Sequence, residues 1–295
     1  MKYYEVTFTI SPVGDDARDI VAALAGEAAF ETFEETPTGL KGYVQQSLYD
    51  DDLLRQMLAA CPLPDVTVDY TVSEAEDRDW NEQWEQEGFE PISLPLSPSH
   101  GDGCLVIHDG RHLPDPQLVP FNSHLSIEID AHLAFGTGTH ETTRLMCASL
   151  LDTPLEDKRL LDCGTGTGIL AITALKLGAR EAVGYDIDEW SADNAHHNAV
   201  INRVDDRFTS LLGDTSILNK VEGTFDIVTA NINRNILLAD MPVFVSKMAP
   251  GATLLLSGFY TEDTRLLTAK AEELGLTFVA QREDNNWTCL QFSHL

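Results

Sequence analysis

Basic residues are scarce in this chain. It carries 19 lysines and arginines against 48 aspartates and glutamates in 295 residues, a formal net charge of −29 at pH 7. Such a field repels a nucleic-acid duplex at long range, so direct nucleic-acid binding is not expected and a basic partner is the natural complement. Cysteine is sparse too: Cys61, Cys104, Cys147, Cys163 and Cys289 are odd in number, and no two form a Cys-x-x-Cys pair. This argues against a disulfide framework and a zinc ribbon. His108 and His112 are interrupted by Gly110, which spoils a helical metal face, so no metal is expected. Long apolar runs are missing as well. Nothing approaches the roughly 20 residues of a membrane span, and the opening MKYYEVTFTI alternates instead. The expected location is cytoplasmic, with a monomer as the default state.

The 43% of hydrophobic residues that are present can fill one large core or two ordinary ones. Tyr4, Val6, Phe8 and Ile10 recur at the period of a half-buried strand, and residues 15–30 then shift to helical spacing. Residues 33–47 read as two strands turning at Pro37 to Gly39, 51–61 as a helix closed by Pro62, and 66–72 as a strand. The order βαββαβ predicts a small α+β, ferredoxin-like domain over residues 1–74, with two helices on one face of an antiparallel sheet. Residues 75–91 are acid-rich, place Trp80 and Trp84 on one helical face, and predict a linker helix. Residues 92–120 hold five prolines and little periodicity, and support no assignment beyond loop and strand.

From residue 159 strands and helices alternate regularly. Strands are expected at 159–163, 182–187, 208–214, 225–232 and 252–258, with helices at 168–178, 190–202, 236–248 and 262–275. Right-handed crossovers make the early strands parallel. The last two strands, 276–283 and 287–293, are joined only by Asp284, Asn285 and Asn286 and must form a hairpin, which puts one antiparallel strand into the sheet. The fold class is α/β, a Rossmann-like sheet over residues 92–295 with a terminal antiparallel hairpin.

The stretch LLDCGTGTGILAITALKLGA, residues 160–179, joins the first of these strands to its helix through Gly164, Gly166 and Gly168. Missing β-carbons let the backbone turn sharply and let a ligand lie against it, while the helix start offers free N–H groups to an anion. Two ligands fit: a dinucleotide pyrophosphate, or the carboxylate end of S-adenosylmethionine. Gly166, Gly168 and Ala171 satisfy the loose GxGxxA nucleotide fingerprint, and Asp186, ending the next strand, would bind ribose hydroxyls in either case. Asp162, just before the loop, suits the cationic amine of a methionine moiety better than a pyrophosphate. The terminal hairpin points the same way. Asp214 ends the next strand and is expected either at the adenosine or in a plain turn.

Three further segments are AFGTGTHETTRL (134–145), ANINRNILL (230–238) and DWNEQWEQEGFEP (79–91). With the glycine loop and GYDID they resemble the PrmA-type methyltransferases, which methylate the eleventh protein of the large ribosomal subunit. The resemblance implies an S-adenosylmethionine-dependent protein-lysine N-methyltransferase, acting on lysine side chains and the amino terminus of that basic ribosomal protein. It implies that residues 1–74 recognise the substrate. It also implies that Thr143, Gly164, Asp186 and Asn231 contact the cofactor, with Gly166 in the same loop. Arg234 and Asn235 depart from the family's small, apolar residues after Asn231, and are expected close to the site.

From the residues themselves, Thr139 is expected to cap a helix over 141–151, and His140 to be structural. Asn231, at the end of the strand FDIVTANI, offers a neutral amide oxygen that can align a substrate N–H without holding its charge, which makes it the expected catalytic residue. Its bland alternative is a cap for the next helix. Two other functions compete: methyl transfer to another protein or a small amine, and a ribosome-binding module whose cofactor site is vestigial. The loose fingerprint leaves a nicotinamide-dependent oxidoreductase as a further alternative.

Overall fold

The computed structural model describes residues 3–26, 28–30, 32–46, 48–59, 61, 63, 66–74, 88–96, 103–115, 124–131 and 136–294. Of the linker helix expected over 75–91, residues 75–87 with Trp80 and Trp84 lie outside the described residues, and 88–91 are not helical. Contacts divide the chain into two units, 1–82 and 83–295.

The first unit contains β1 (Tyr3–Ser11), α1 (Asp15–Gly26), β2 (Thr32–Thr36), β3 (Gly39–Gln45), α2 (Asp51–Ala59) and β4 (Thr67–Glu74). Its sheet runs β2-β3-β1-β4 with every pair antiparallel. The period-2 pattern of β1 buries Val6, Phe8 and Ile10 against Val21 and Ala25 of α1 and Leu54 of α2. α1 stops at Gly26, four residues before the helical spacing ends. Glycine is a poor helix former, and leaving the helix there lets Ala28 and Phe30 enter the core, with Ala29 in the left-handed region at φ 69°.

The second unit has two sheets. A small one, β5 (Ile92–Pro95), β6 (Cys104–His108) and β7 (His124–Glu128), pairs antiparallel and then parallel. It escaped the sequence pattern because β6 buries Leu105, Val106 and Ile107 in a row, with no alternation to read. The large sheet contains β8 (Arg159–Cys163), β9 (Glu181–Asp186), β10 (Phe208–Leu212), β11 (Phe225–Asn231), β12 (Met248–Tyr260), β13 (Leu276–Asp284) and β14 (Trp287–His294). Its order is β10-β9-β8-β11-β12-β14-β13. Every pair up to β12 is parallel, and β14 is antiparallel to both its neighbours. Asn285 and Asn286, at φ 48° and 67°, form the hairpin turn, as a tight turn with two left-handed positions requires. β12 begins before Gly251 rather than after it. Phe225 pairs with Met248 and Ile227 with Thr253, so the glycine sits in a bulge inside the strand.

Helices α3 (Glu141–Leu151), α4 (Ile169–Lys176), α5 (Glu189–Ile201), α6 (Arg234–Ser246) and α7 (Thr264–Glu273) complete the unit. Both faces of the sheet are covered: Leu160 joins the core that includes Met146 and Ile172, while Leu161 joins the core that includes Met241 and Phe244. The small sheet is tied to α5 by asparagines one turn apart. Asn202 takes the N–H of Glu128 and donates to its carbonyl, Asn198 takes the N–H of Asp130, and Asn194 donates to the Asp130 carbonyl. Their amides act there like the backbone of one more strand. The order in which strands are added reverses around β8, whose neighbours are β9 on one side and β11 on the other, so a crevice opens at the carboxyl ends of these strands.

Candidate active site

A cavity of about 680 Å³ occupies that crevice, and Thr143, Gly164, Gly166, Asp186, Asp214 and Asn231 are among its walls. The structure therefore brings all five expected site residues to one place.

The floor is the loop between β8 and α4. Gly164, Gly166 and Gly168 have φ values of 72°, 53° and 80°, each in the region that L side chains avoid. A β-carbon on Gly164 would lie 2.4 Å from Ile232 Cγ2, so the bare backbone is a steric requirement as well. The Tyr185 carbonyl accepts from the N–H groups of both Gly164 and Thr165, which ties the loop to β9. Asp186 completes the tie: its carboxylate accepts from Gly166 N–H at 2.9 Å and from Asp188 N–H at 3.1 Å. Two backbone donors thus hold a carboxylate at the cavity wall with lone pairs to spare.

The opposite end differs. Thr143, on the first turn of α3, is fully buried, and neither its hydroxyl oxygen nor the buried Asn231 Oδ1 has a hydrogen-bond partner among the described residues. A buried polar atom left so costs about 1–3 kcal/mol, which makes both oxygens markers of an absent partner. The bland role for Asn231 fails, because the cap of α6 is Asn233, whose side chain accepts from Ile236 N–H at 3.1 Å.

Two expectations are corrected. Asp162 does not face the cavity. It is 1% exposed beneath the loop and accepts hydroxyl hydrogen bonds from Thr165 at 2.9 Å and Thr229 at 2.7 Å. Burial pushes its pKa up to about 7 against those two bonds, and the nearby Asp186 charge adds to the rise. Its alternation with Cys163 along β8 turns it inward. The cap of α3 is His140, not Thr139: its Nδ1 accepts from Thr142 N–H at 3.2 Å, which puts the ring proton on Nε2. Arg234 and Asn235 both lie close to the site as expected: Asn235 lines the cavity, and Arg234, held by Asp263 at 2.7 Å, donates from Nε to the Asn235 side chain at 3.2 Å. Asp214 lines the cavity and caps the turn after β10, where its side chain accepts from Ser216 N–H.

Sequence reasoning missed the hydroxyl pair Thr165 and Thr229 and the asparagine ladder of α5. Asn198 also donates to the Thr167 carbonyl, so the ladder braces the glycine loop. The signal was available: asparagines at 194, 198 and 202 repeat at the helical period inside a helix, where asparagine is a poor choice unless it has partners.

A Rossmann-like sheet ending in an antiparallel hairpin, with its cavity at the switch point, defines the class I methyltransferase fold. The profile of the family described as Ribosomal protein L11 methyltransferase (PrmA) matches residues 14–294, and the chain belongs to that family. Relatives named ribosomal protein L11 methyltransferase include one from Bacteroides fragilis, 46% identical over 292 residues and 99% of each chain. Another, from Bacteroides thetaiotaomicron, is 45% identical over 294 residues and all of each chain. The crystal structure of a ribosomal protein L11 methylase from Lactobacillus delbrueckii subsp. bulgaricus is similar with a TM-score of 0.58 at 28% identity, covering 70% of this chain and 99% of that one.

Proposed function

We propose that this protein transfers methyl groups from S-adenosylmethionine to amino groups of ribosomal protein L11, lysine side chains and the amino terminus among them. The observation that carries the reading is the pairing of a glycine cradle and a preset carboxylate at one end of the cavity with two orphaned buried oxygens at the other. The residues fit the cofactor: the cradle takes backbone-close contact, Asp186 accepts ribose hydroxyls, and Thr143 and Asn231 have hydrogen-bonding capacity left over. When bound, S-adenosylmethionine supplies a methyl group on a sulfonium whose departure leaves a neutral thioether.

The chain's own contribution is positional. Holding a nucleophile in line at about 3 Å can remove on the order of 7–11 kcal/mol of barrier. A free lysine, with a pKa of about 10.4, must first shed a proton, a cost of roughly 4.6 kcal/mol at pH 7. A carboxylate beside the nitrogen would increase that cost, and Asn231 Oδ1 avoids it by accepting an N–H while leaving the nitrogen neutral. Asp162, sunk beneath the loop where burial favours its neutral acid, puts no carboxylate beside the nitrogen either. The net charge of −29 attracts a basic ribosomal protein from a distance. Residues 1–74 are assigned to substrate recognition, 75–91 to the linker and 92–295 to catalysis. A monomer is the working unit in this reading, and the cytoplasm as its place of action suits a ribosomal substrate.

The test is incubation of purified L11 with the protein and S-adenosylmethionine, read by intact and peptide mass spectrometry, beside calorimetry with S-adenosylmethionine and with NAD. Mass gains of 14 Da per methyl group and binding of the sulfonium compound are expected. Binding of NAD instead, or unmodified L11, sinks the reading. A chain starting at residue 75 should keep cofactor binding and lose methylation of L11.

A further inference from the structure

The rim beside the orphaned oxygens carries an aromatic surface that the cofactor cavity does not use. β12 runs past the end of β11: Asn231 pairs with Ser257, and the strand continues three residues further to Tyr260, about 10 Å along. Gly258, at φ 92°, makes this path possible, because a β-carbon there would lie 2.4 Å from the carbonyl oxygen of Ile232, a cavity residue. Tyr260 is 48% exposed, and its ring lies 4.2 Å from that of Trp287, its cross-strand partner, at 31°. Trp287 in turn meets the edge of His140 at 4.8 Å, three residues before Thr143 on the same chain segment. Tyr260 thus stands on the strand that pairs with the end of β11, and Trp287 touches the residue that caps α3, whose first turn carries Thr143.

Carboxylates surround it. Glu262 follows close behind Tyr260, Asp263 holds Arg234 at 2.7 Å, and Glu141 and Asp284 share Arg144 at 3.8 and 2.8 Å. The arginines of the rim are already engaged, and an apolar partner would have to displace water from these acids. A cation would not.

Resting on the proposed function, we propose that the face of Tyr260, held by Trp287, is where the lysine ammonium of the substrate lands before it moves into the cavity. An aromatic face attracts a cation through its quadrupole and offers no lone pair that would fix the proton. The ring thus favours the charged form on arrival, and the neutral Asn231 amide favours the amine one step further in. Tyr260 is a positioning residue in this scheme, acting on capture and not on the transfer itself.

The experiment compares wild type with Tyr260→Phe, Tyr260→Leu and Tyr260→Ala, in full-length protein, using L11 as substrate and calorimetry for S-adenosylmethionine. Tyr260→Leu and Tyr260→Ala should raise KM for L11 about three- to tenfold, the range of a partly exposed cation–aromatic contact, with kcat and cofactor affinity unchanged. Tyr260→Phe should match wild type, since it keeps the ring face and loses only the hydroxyl. Leucine restoring KM as well as phenylalanine, or alanine leaving KM unaltered, overturns the proposal while the function stands. A fall in kcat with constant KM overturns it too. Failure of wild type to methylate L11 while binding the cofactor refutes the parent reading, and this inference with it.

Discussion

The two ends of the cavity are built on opposite principles. At the Asp186 end every group is provided for: two backbone N–H donors fix the carboxylate, and the Tyr185 carbonyl takes two more from the loop. At the Thr143 and Asn231 end two buried oxygens have no partner among the described residues. One end is complete before any ligand arrives, and the other is stable only to the extent that the fold tolerates unmet hydrogen-bonding capacity. The difference is between groups the protein has already satisfied and oxygens left open to a ligand, since an oxygen committed to a protein donor could not align an incoming N–H.

The largest test of this contrast is Asn231→Ala. Loss of the aligning oxygen should lower kcat on the order of 10²-fold, as misplacement of a reacting atom does, with cofactor affinity changed little. Single-turnover kinetics beside calorimetry separates the two, and full activity would remove Asn231 from the reaction. Asp186→Ala attacks the other end. It deletes a charge-assisted acceptor for the cofactor and for Gly166 N–H, so the dissociation constant for S-adenosylmethionine should rise about ten- to a hundredfold. An unchanged constant would place the ribose elsewhere.

Gly164→Ala tests the floor. A left-handed φ costs an L residue about 1–2 kcal/mol, and the added methyl also drives Ile232 from its place, so stability should fall by about 2 kcal/mol or more in urea unfolding, with weakened cofactor binding. Thr143→Val reverses the sign. Replacing an unpartnered buried hydroxyl by a methyl should leave the free protein about 1 kcal/mol more stable, while the cofactor binds less tightly. A loss of stability in that variant would mean that the hydroxyl already has a partner.

How much of this was readable depends on which residues carry the information locally. The glycine loop and Asp186 could be placed because strand ends, glycines and acids mark themselves by spacing. The hairpin was equally plain, since Asn285 and Asn286 leave no room for a crossover. Thr143 entered only through family resemblance, as a threonine in a helix's first turn has no chemical signature of its own. The small sheet was invisible because β6 is buried on both sides and β7 lies beyond a proline-rich stretch. Asp162 was misread for a related reason: which side of a five-residue strand faces the ligand is a property of the packed sheet, and Leu160 and Leu161 are both fully buried. Trp80 and Trp84 lie outside the described residues.

Asp162 joins the two ends, and the effect expected of it is a pH dependence. Through Thr165 it holds the loop, and through Thr229 it holds β11 two residues before Asn231. With a pKa raised to about 7 by burial, its native form keeps a proton that the unfolded chain releases near pH 3.9, the ordinary value of about 3.9 for an aspartate. Its contribution to stability is therefore full below about pH 4 and is lost as pH rises through about 7. The groups acting on it include the two threonine hydroxyls, the Ala171 N–H and the Asp186 carboxylate, with Cys147, Cys163 and Tyr185 also nearby, and none of these is a cation. Asp162→Asn is neutral at every pH and can satisfy the same hydroxyls, which are free to rotate and accept. Subtracting the variant's unfolding free energy from that of wild type should give a difference that falls between about pH 4 and 7 and is level above about 8. A level difference throughout would show Asp162 ionised in the native protein, and would make the loop and β11 share a buried charge instead of a buried acid.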